Sequence, residues 1–243
     1  MRNPLYTAYE RRLVGQLDQA SVPRHVGMIV DGNRRFAKAR GGNAADGHQA
    51  GAANVGSFLE WCEEAGVEVV TLWLLSTDNL TRPPQELDKL LRIIEGLVAD
   101  LATAQRWQLH AAGALDMLPV QTAAALRRAE DETADVEGLI VNVAVGYGGR
   151  QEIADAVREI LRERAAAGDT LEEVAESLSE EDITAHLYTK GQPDPELVIR
   201  TSGEQRLSGF LLWQSVHSEY YFCEVYWPDF RRIDFLRALR DYA

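Results

Sequence analysis

Two arginines frame a short segment rich in hydroxyl groups in the last fifth of the sequence. The apolar run 197–199 ends at Arg200, and Arg206 follows after a turn-like stretch. The hydroxyl groups of this segment belong to Thr201, Ser202 and Ser208. A guanidinium presents a planar fork of donors that matches the oxygens of a phosphate ester. The segment therefore predicts a phosphate site, although two surface arginines in solvated ion pairs would have the same spacing.

A second polar cluster follows the first apolar run of the chain. Asp31, Gly32 and Asn33 form a turn signal, and Arg34 and Arg35 begin a helical stretch. Backbone N–H groups at the start of a helix favour an anion, and the arginines add positive charge. The Asp31 carboxylate would repel a phosphate unless a cation lay between them, which is the usual role of Mg²⁺.

Glu219 is a second candidate carboxylate for such a cation. The cluster around Asp31 has a simpler explanation as well, because Asp-Gly-Asn is most often only a turn. Likewise, His48 could pack or cap a helix, and Asn79 could cap a turn.

Composition excludes several classes of protein. The 243-residue chain has a net charge of −13, which argues against a nucleic-acid partner. It contains only two cysteines, so a disulfide framework or zinc site is not expected, and a reducing cytoplasm fits. We find no apolar run long enough for a transmembrane segment. In residues 1–24, three leucines and a tyrosine recur every four positions, which predicts an amphipathic helix that packs on the domain. A helix that transiently contacts a membrane surface is a weaker alternative.

Strand and helix patterns alternate along the rest of the chain. They predict one α/β domain at residues 25–243, with a mostly parallel central sheet flanked by helices. Predicted strands are 26–30, 67–75, 139–145, 196–199 and 219–225. Predicted helices include 48–65, 119–133, 152–167, 171–187 and 233–242, and a leucine-rich helix from about residue 87 to 101.

Polar groups follow four of these strands, including Ser76, Thr77, Asp78 and Asn79, with Arg82 close behind. In a parallel sheet such groups meet at the carboxyl edge. Beneath that edge lie Trp73, Leu74 and Leu75, beside the leucine-rich helix. We therefore predict a polar opening above an apolar tunnel between the sheet and the helices. Such a site suits an amphiphilic substrate with a diphosphate group and a hydrocarbon chain.

The chain resembles the cis-prenyltransferases, also called undecaprenyl-diphosphate-synthase-like enzymes, over nearly its whole length from His25. The segments that carry the resemblance are 25–38, Gly47-His48 with Gly51, 75–79 with Arg82-Pro83, 142–150 and 197–230. The resemblance implies Mg²⁺-dependent condensation of isopentenyl diphosphate with an allylic diphosphate to form Z double bonds. It also implies a homodimer with an apolar interface, for which 210–213 and 220–222 are candidates, with a role in the core as the alternative for both segments.

The resemblance also implies roles for individual residues. Asp31 is expected to bind Mg²⁺ together with Glu219. The allylic diphosphate is expected at Gly32, Asn33, Arg34, Arg35 and His48, with Phe36 beside them. Isopentenyl diphosphate is expected at Arg200, Arg206, Leu207 and Ser208. Ser76, Thr77, Asp78, Leu80 and Arg82 are expected to contact substrate. Asn79 occupies the family's proton-acceptor position, but a neutral amide is a poor base, and released diphosphate could take the proton instead.

Several positions depart from the family pattern. Ala44 replaces an arginine that usually precedes the Gly-His pair, and Arg34 stands where long-chain members often have glycine. Leu74 replaces a small residue, commonly alanine, on the tunnel wall. Leu74 in particular predicts a short-chain enzyme that forms Z,E-farnesyl diphosphate, with geranyl diphosphate as the expected primer and Leu74 as the residue that limits chain length. Ala44 instead leaves a branching or cyclising relative open. The alternatives are a medium- or long-chain polyprenyl synthase, a branching or cyclising relative, and a non-catalytic partner subunit.

Overall fold

A computed structural model describes Glu10, residues 12–15 and residues 22–243. The predicted N-terminal helix of residues 1–24 therefore lies largely outside the described residues. Within it, Leu13 is buried and clusters with Ile233 and Leu236 of the C-terminal helix. The described residues contain no helix long and apolar enough to cross a bilayer.

The centre of the structure is a sheet of six parallel strands. The strands are β1 His25–Ile29, β2 Val69–Ser76, β3 Gln108–Ala112, β4 Ile140–Tyr147, β5 Leu197–Arg200 and β6 Glu219–Phe222. Their spatial order is β3-β4-β2-β1-β5-β6. The inner strands are nearly continuous apolar runs because helices and loops cover both faces of the sheet. This confirms the predicted single α/β domain.

Eight helices are assigned within residues 22–243. They are α1 Asn33–Ala39, α2 Ala44–Ala65, α3 Pro84–Ala104, α4 Val120–Glu132, α5 Gly149–Ala167, α6 Leu171–Ser177, α7 Glu180–Thr184 and α8 Arg232–Tyr242. The core on one face of the sheet includes Val26, Met28, Leu72 and Val143, together with residues of α2, α3, α4 and α8. A smaller cluster on the other face includes Ile29, Val198, Phe210 and Leu211.

Two predictions of secondary structure were wrong. The single helix predicted over 171–187 is two helices, because Thr170 and Ser179 each cap a helix start with a capping box. Strand β3 was not predicted, because its sequence reads Gln-Leu-His-Ala-Ala rather than as a β-branched run. It is an edge strand of the sheet, so its Gln108 and His110 are only partly buried.

The strand order places the ends of β2, β1 and β5 side by side. Ile29 pairs with Trp73 on one side and with Arg200 on the other. The polar segments that follow these three strands therefore lie together at the carboxyl edge, as predicted. The glycine turn at residues 146–149 follows β4 at the same edge of the sheet and lies next to Thr77. It supports the neighbouring loop, since the Gly149 N–H donates to the Gly209 carbonyl over 2.8 Å.

Candidate active site

A cavity of about 720 Å³ opens at the carboxyl edge of the sheet, above β1, β2 and β5. Its walls come from the turn after each strand, from α1 and from the first half of α2. Among its lining residues are fourteen of the predicted site residues: Asp31, Gly32, Asn33, Arg34, Arg35, His48, Leu74, Ser76, Asp78, Asn79, Arg82, Arg200, Arg206 and Ser208. The lining also includes Ile29, Val30, Lys38, Trp73, Leu75 and Glu204.

Asp31 lies between two arginines at the base of the cavity. Arg200 donates from Nη2 to Oδ2 of Asp31 over 2.8 Å, and Arg35 donates from Nη2 to Oδ1 over 3.3 Å. The buried Thr201 hydroxyl donates to the Asp31 carbonyl over 2.7 Å and fixes the turn. Arg200 also donates to the Ser208 hydroxyl over 3.1 Å and to the Arg206 carbonyl. The carboxylate is thus held in one orientation by groups from β5 and α1.

These contacts keep Asp31 ionised. Burial alone would raise the pKa of Asp31, but the hydrogen bonds from Arg200 and Ser202 and the charges of Arg200 and Arg35 outweigh it. The net pKa of the carboxyl is therefore lowered. Arg200 itself is 5% exposed, and its Nε has no hydrogen-bond partner among the described residues.

Glu204 connects two arginines on the same side of the cavity. Its carboxylate accepts from Nη1 of Arg35 over 3.1 Å and from Nη1 of Arg206. Arg35 also donates to the Ser202 hydroxyl over 2.6 Å. One carboxylate therefore orients an arginine of α1 and an arginine of the segment after β5.

A separate group of cations lies on the α3 side of the cavity. Arg82 donates from Nε to the Asn79 side-chain oxygen over 3.3 Å, and its Nη1 lies 3.4 Å from Nε2 of His48 and 3.4 Å from Glu86. Arg34 reaches the same Glu86 carboxylate at 3.7 Å. The arginines of the cavity thus form two groups, one around Asp31 and Glu204 and the other around Glu86.

His48 is neutral at physiological pH. Burial lowers its pKa to about 4, and the positive charge of Arg82 acts in the same direction. Burial also lowers the pKa of Arg82, with the neighbouring charge of Arg34 adding to the effect. A neutral imidazole can donate one hydrogen bond to an anion without repelling the arginines around it.

Two glycines allow α1 and α2 to meet beside the cavity. A Cβ on Gly47 would lie 2.0 Å from the Asn33 carbonyl oxygen, and a Cβ on Gly51 would lie 2.5 Å from Oδ1 of Asn33. Both separations are too short for any side chain. This close approach explains the glycines on each side of His48. It also buries Oδ1 of Asn33 without a hydrogen-bond partner among the described residues.

A narrow apolar slot of about 30 Å³ continues from the cavity between α2 and α3. Leu74, Val30, Asn33 and His48 line both spaces. The pairing of β2 with β4 is irregular between Trp73 and Ser76, and Leu74 lies within that bulge. Bulges beside active sites commonly redirect a side chain. Leu74 therefore stands at the entrance of a slot that is only about large enough for one water molecule.

Five predicted site residues are not part of the cavity lining. Glu219 is exposed and pairs in register with Leu197, at the amino end of β5, so this chain places it at the edge of the sheet opposite Asp31. The ring of Phe36 packs under the Arg40 guanidinium, with 3.8 Å between the centres. The remaining three are Thr77, Leu80 and Leu207. Thr77 contacts Gly148, and Leu80 and Leu207 pack on apolar clusters.

Two charged residues of the cavity, Lys38 and Glu204, were not predicted from the sequence. Lys38 lies one helical turn after Arg34, on the same face of α1, a spacing that the sequence already contained. Glu204 lies inside the arginine-rich segment. Nothing in the sequence indicates that Glu204 pairs with Arg35, which is 169 positions away.

Comparison with known proteins assigns the family. The model of the undecaprenyl diphosphate synthase family of prenyltransferases matches residues 29–243. The chain belongs to this family. It is 62% identical to a (2Z,6E)-farnesyl diphosphate synthase of Thermobifida fusca, over 100% of this chain and 96% of that protein. It is 51% identical to a short-chain Z-isoprenyl diphosphate synthase of Mycobacterium leprae, over 100% of this chain and 94% of that protein.

A solved prenyltransferase has the same fold. The chain superposes with a TM-score of 0.85 on lavandulyl diphosphate synthase from Lavandula x intermedia, solved in complex with dimethylallyl diphosphate. The two sequences are 34% identical, and the match covers 92% of this chain and 96% of that one. Membership of the prenyltransferase family identifies the chain as an enzyme of isoprenoid biosynthesis.

Members of this family are expected to use a divalent metal, and the donor set can be tested on the structure. No cluster of three or more acidic, histidine or cysteine residues forms a metal site within the described part of the chain. Asp31 offers an ionised carboxylate at the base of the cavity. Mg²⁺ is often held by only one or two carboxylates plus substrate phosphate oxygens. Asp31 fits that mode, whereas Glu219 does not reach the cavity within one chain.

Proposed function

We propose that this prenyltransferase is a short-chain Z-isoprenyl diphosphate synthase that condenses geranyl diphosphate with isopentenyl diphosphate to give Z,E-farnesyl diphosphate. The observation that carries the proposal is the pair of arginine groups in one cavity, above an apolar slot that Leu74 narrows. Two anionic groups need two separate cationic sites, and a prenyl chain needs an apolar one. The names of the bacterial relatives support the same activity.

The two arginine groups are assigned to the two substrates. Arg34, Arg82 and His48, with the N-terminus of α1 at Gly32 and Asn33, bind the allylic diphosphate. Arg200, Arg206 and Ser208 bind isopentenyl diphosphate. Arg35 belongs to the group around Asp31 and Glu204, and it extends from α1, the helix that also carries Arg34. In this proposal it stabilises the negative charge that develops on the leaving diphosphate.

The reaction breaks the allylic C1–O bond, and the electron pair leaves with diphosphate. The double bond of isopentenyl diphosphate forms the new C–C bond, and the resulting cation loses a proton to restore a double bond. The products are the extended diphosphate, free diphosphate and one proton. Mg²⁺ at Asp31 would neutralise phosphate charge and assist departure of the leaving group. Asn79, held by Arg82, orients the homoallylic substrate, and the released diphosphate takes the proton.

Product length follows from the space available to the tail. The cavity of about 720 Å³ is of the size that holds small ligands. The slot beyond it holds about 30 Å³, less than one prenyl unit needs. A tail that grows past Leu74 must therefore displace packed side chains of α2 and α3, which is costly in a close-packed interior.

A homodimer in the cytoplasm completes the proposal. The exposed Val216, Tyr220 and Phe222 lie on or next to β6, the edge strand of the sheet. An exposed edge with apolar side chains suits a second copy of the chain.

The deciding experiment is incubation with isopentenyl diphosphate and each allylic primer in turn, with product length determined by chromatography. We expect a single fifteen-carbon product from geranyl diphosphate in the presence of Mg²⁺. Products of many units would assign a long-chain synthase. Coupling of two dimethylallyl units would assign a branching or cyclising enzyme, and no product from any primer would favour a partner subunit.

A further inference from the structure

Glu86 is an acidic residue directly behind the arginines of an anion-binding cavity. It lies in the first turn of α3, and its side chain is 26% exposed. Its Oε1 is 3.4 Å from Arg82 and 3.7 Å from Arg34. One carboxylate therefore links α3 to α1 and to the loop between β2 and α3.

Arg82 is the residue through which Glu86 reaches the site. The Arg82 side chain is only 14% exposed, and it contacts Asn79 through Nε and His48 through Nη1. A half-buried guanidinium has lost part of its hydration and needs a nearby negative charge. Glu86 is the only carboxylate within salt-bridge distance of Arg82 among the described residues.

The charges around Arg82 make that partner necessary. Arg34 lies close enough to lower the pKa of both Arg82 and His48 through its positive charge. Without Glu86, only the charge of Asp31, which makes no ion pair with Arg82, would offset the mutual repulsion of Arg34 and Arg82. The more exposed of the two arginines could turn to solvent, but Arg82 could leave only by giving up Asn79 and His48.

We propose that Glu86 is a positioning residue for the allylic diphosphate: it holds Arg82 against Asn79 and His48 and keeps Arg34 beside the same anion site. This inference rests on the proposed function, and it adds a residue that touches neither substrate. Glu86 is not part of the cavity lining and acts through the two arginines.

The test compares Glu86→Gln with a matched control on the same helix. Asp88→Asn removes an exposed carboxylate of α3 that pairs with Arg92 over 3.2 Å, away from the cavity. Binding is measured by calorimetry with a non-reactive allylic thiolodiphosphate and, separately, with isopentenyl diphosphate. In Glu86→Gln we expect the allylic ligand to bind about tenfold more weakly and isopentenyl diphosphate to bind within about twofold of wild type. In Asp88→Asn we expect neither affinity to change.

A double-mutant cycle separates positioning from a general structural role. Glu86 lies closer to the buried Arg82 than to the exposed Arg34, so most of its effect should pass through Arg82. Adding Glu86→Gln to Arg82→Ala should therefore weaken allylic binding by less than about twofold further. Equal weakening of both ligands, tighter allylic binding, or a full additive effect in the Arg82→Ala background would overturn the inference while leaving the proposed function intact. Wild-type protein that binds neither diphosphate would overturn the proposed function, and the inference with it.

Discussion

Arg200 at the end of β5 donates to Asp31, two residues beyond the end of β1, over 2.8 Å. The Arg200 side chain is 6% exposed and that of Asp31 is 29% exposed. Because β1 and β5 are parallel neighbours, the pair joins two segments that are 169 positions apart in sequence. The buried arginine fixes the orientation of the Asp31 carboxylate, which lines the cavity.

We expect Asp31→Asn to reduce the rate of condensation by roughly a hundredfold or more, because it removes the charge that faces Mg²⁺ and orients both arginines. It also leaves the buried Arg200 without its anion, so we expect the free energy of unfolding to fall by about 1–3 kcal/mol. The measurements are steady-state kinetics and urea unfolding. Asp229→Asn is the control, since Asp229 pairs with Arg40 on the surface. Near wild-type turnover in Asp31→Asn would refute the role of Asp31.

The two arginine groups should separate in their effects on the Michaelis constants. We expect Arg206→Ala to raise KM for isopentenyl diphosphate and Arg34→Ala to raise KM for the allylic primer. Each change removes a charge-assisted contact of about 1.5–3 kcal/mol, which corresponds to roughly tenfold to a hundredfold. Arg92→Ala, on the exposed face of α3, serves as the control. If the two variants showed the reverse pattern, the diphosphate sites would be assigned the wrong way round.

The location of the site could be predicted from sequence, because polar groups that follow parallel strands must meet at one edge of the sheet. That rule placed Asp31, Asn79 and Arg200 together correctly. Their detailed contacts could not be predicted. Glu204 and Glu86 each pair with arginines from distant elements, and no periodic pattern encodes such pairs.

Two further features depended on tertiary context. The place of Glu219 follows from the register of β6 on β5, which puts its first residue at the amino edge. The pairing of β2 with β4 is irregular beside Leu74, and local sequence did not reveal this irregularity. Strand β3 escaped prediction because its position at the sheet edge tolerates polar residues.

Glycines of α2 give a test of the contact between α1 and α2. Gly51→Ala would place a Cβ 2.5 Å from Oδ1 of Asn33 and 3.0 Å from Trp227, so we expect it to displace α1 and lower both stability and allylic binding. Overpacking of this kind usually lowers the free energy of unfolding by about 1–3 kcal/mol, and we expect a loss of that size here. Gly56→Ala on the same helix meets no atom within 4 Å. It should stabilise the protein by about 0.5–1 kcal/mol, because alanine favours a helix. Thermal unfolding of both variants is the measurement, and equal shifts would contradict the close contact.

Stability should fall as the pH drops from about 6.5 to about 4. Burial lowers the pKa of both His25 and His48 to about 4, so in this window the unfolded chain binds protons that the folded chain does not. Each such proton changes the free energy of unfolding by up to about 1.4 kcal/mol per pH unit. His186 has a raised pKa, so its contribution has the opposite sign: it is present at low pH and is lost as the pH rises.

The measurement is urea unfolding at several pH values across that window. We expect His48→Gln to reduce the slope of stability against pH by about one proton. His217→Gln, at an exposed position, is the control and should leave the slope nearly unchanged. If His48→Gln left the slope at its wild-type value, His48 would not be a buried neutral histidine.

Leu74 provides the sharpest test of product length. It lines both the cavity and the slot between α2 and α3, so its side chain stands where the growing tail must pass. Leu74→Ala removes three carbons at that entrance, and we expect products longer than fifteen carbons when isopentenyl diphosphate is in excess, read by chromatography. Leu72→Ala is the matched control, because Leu72 is fully buried on the same strand but lines neither space. That change should cost about 2–5 kcal/mol of stability and leave product length unaltered. If a folded, active Leu74→Ala enzyme gave products of unchanged length, Leu74 would be an ordinary core residue. If Leu72→Ala lengthened the products equally, a general loosening of the core, rather than the side chain of Leu74, would set the product length.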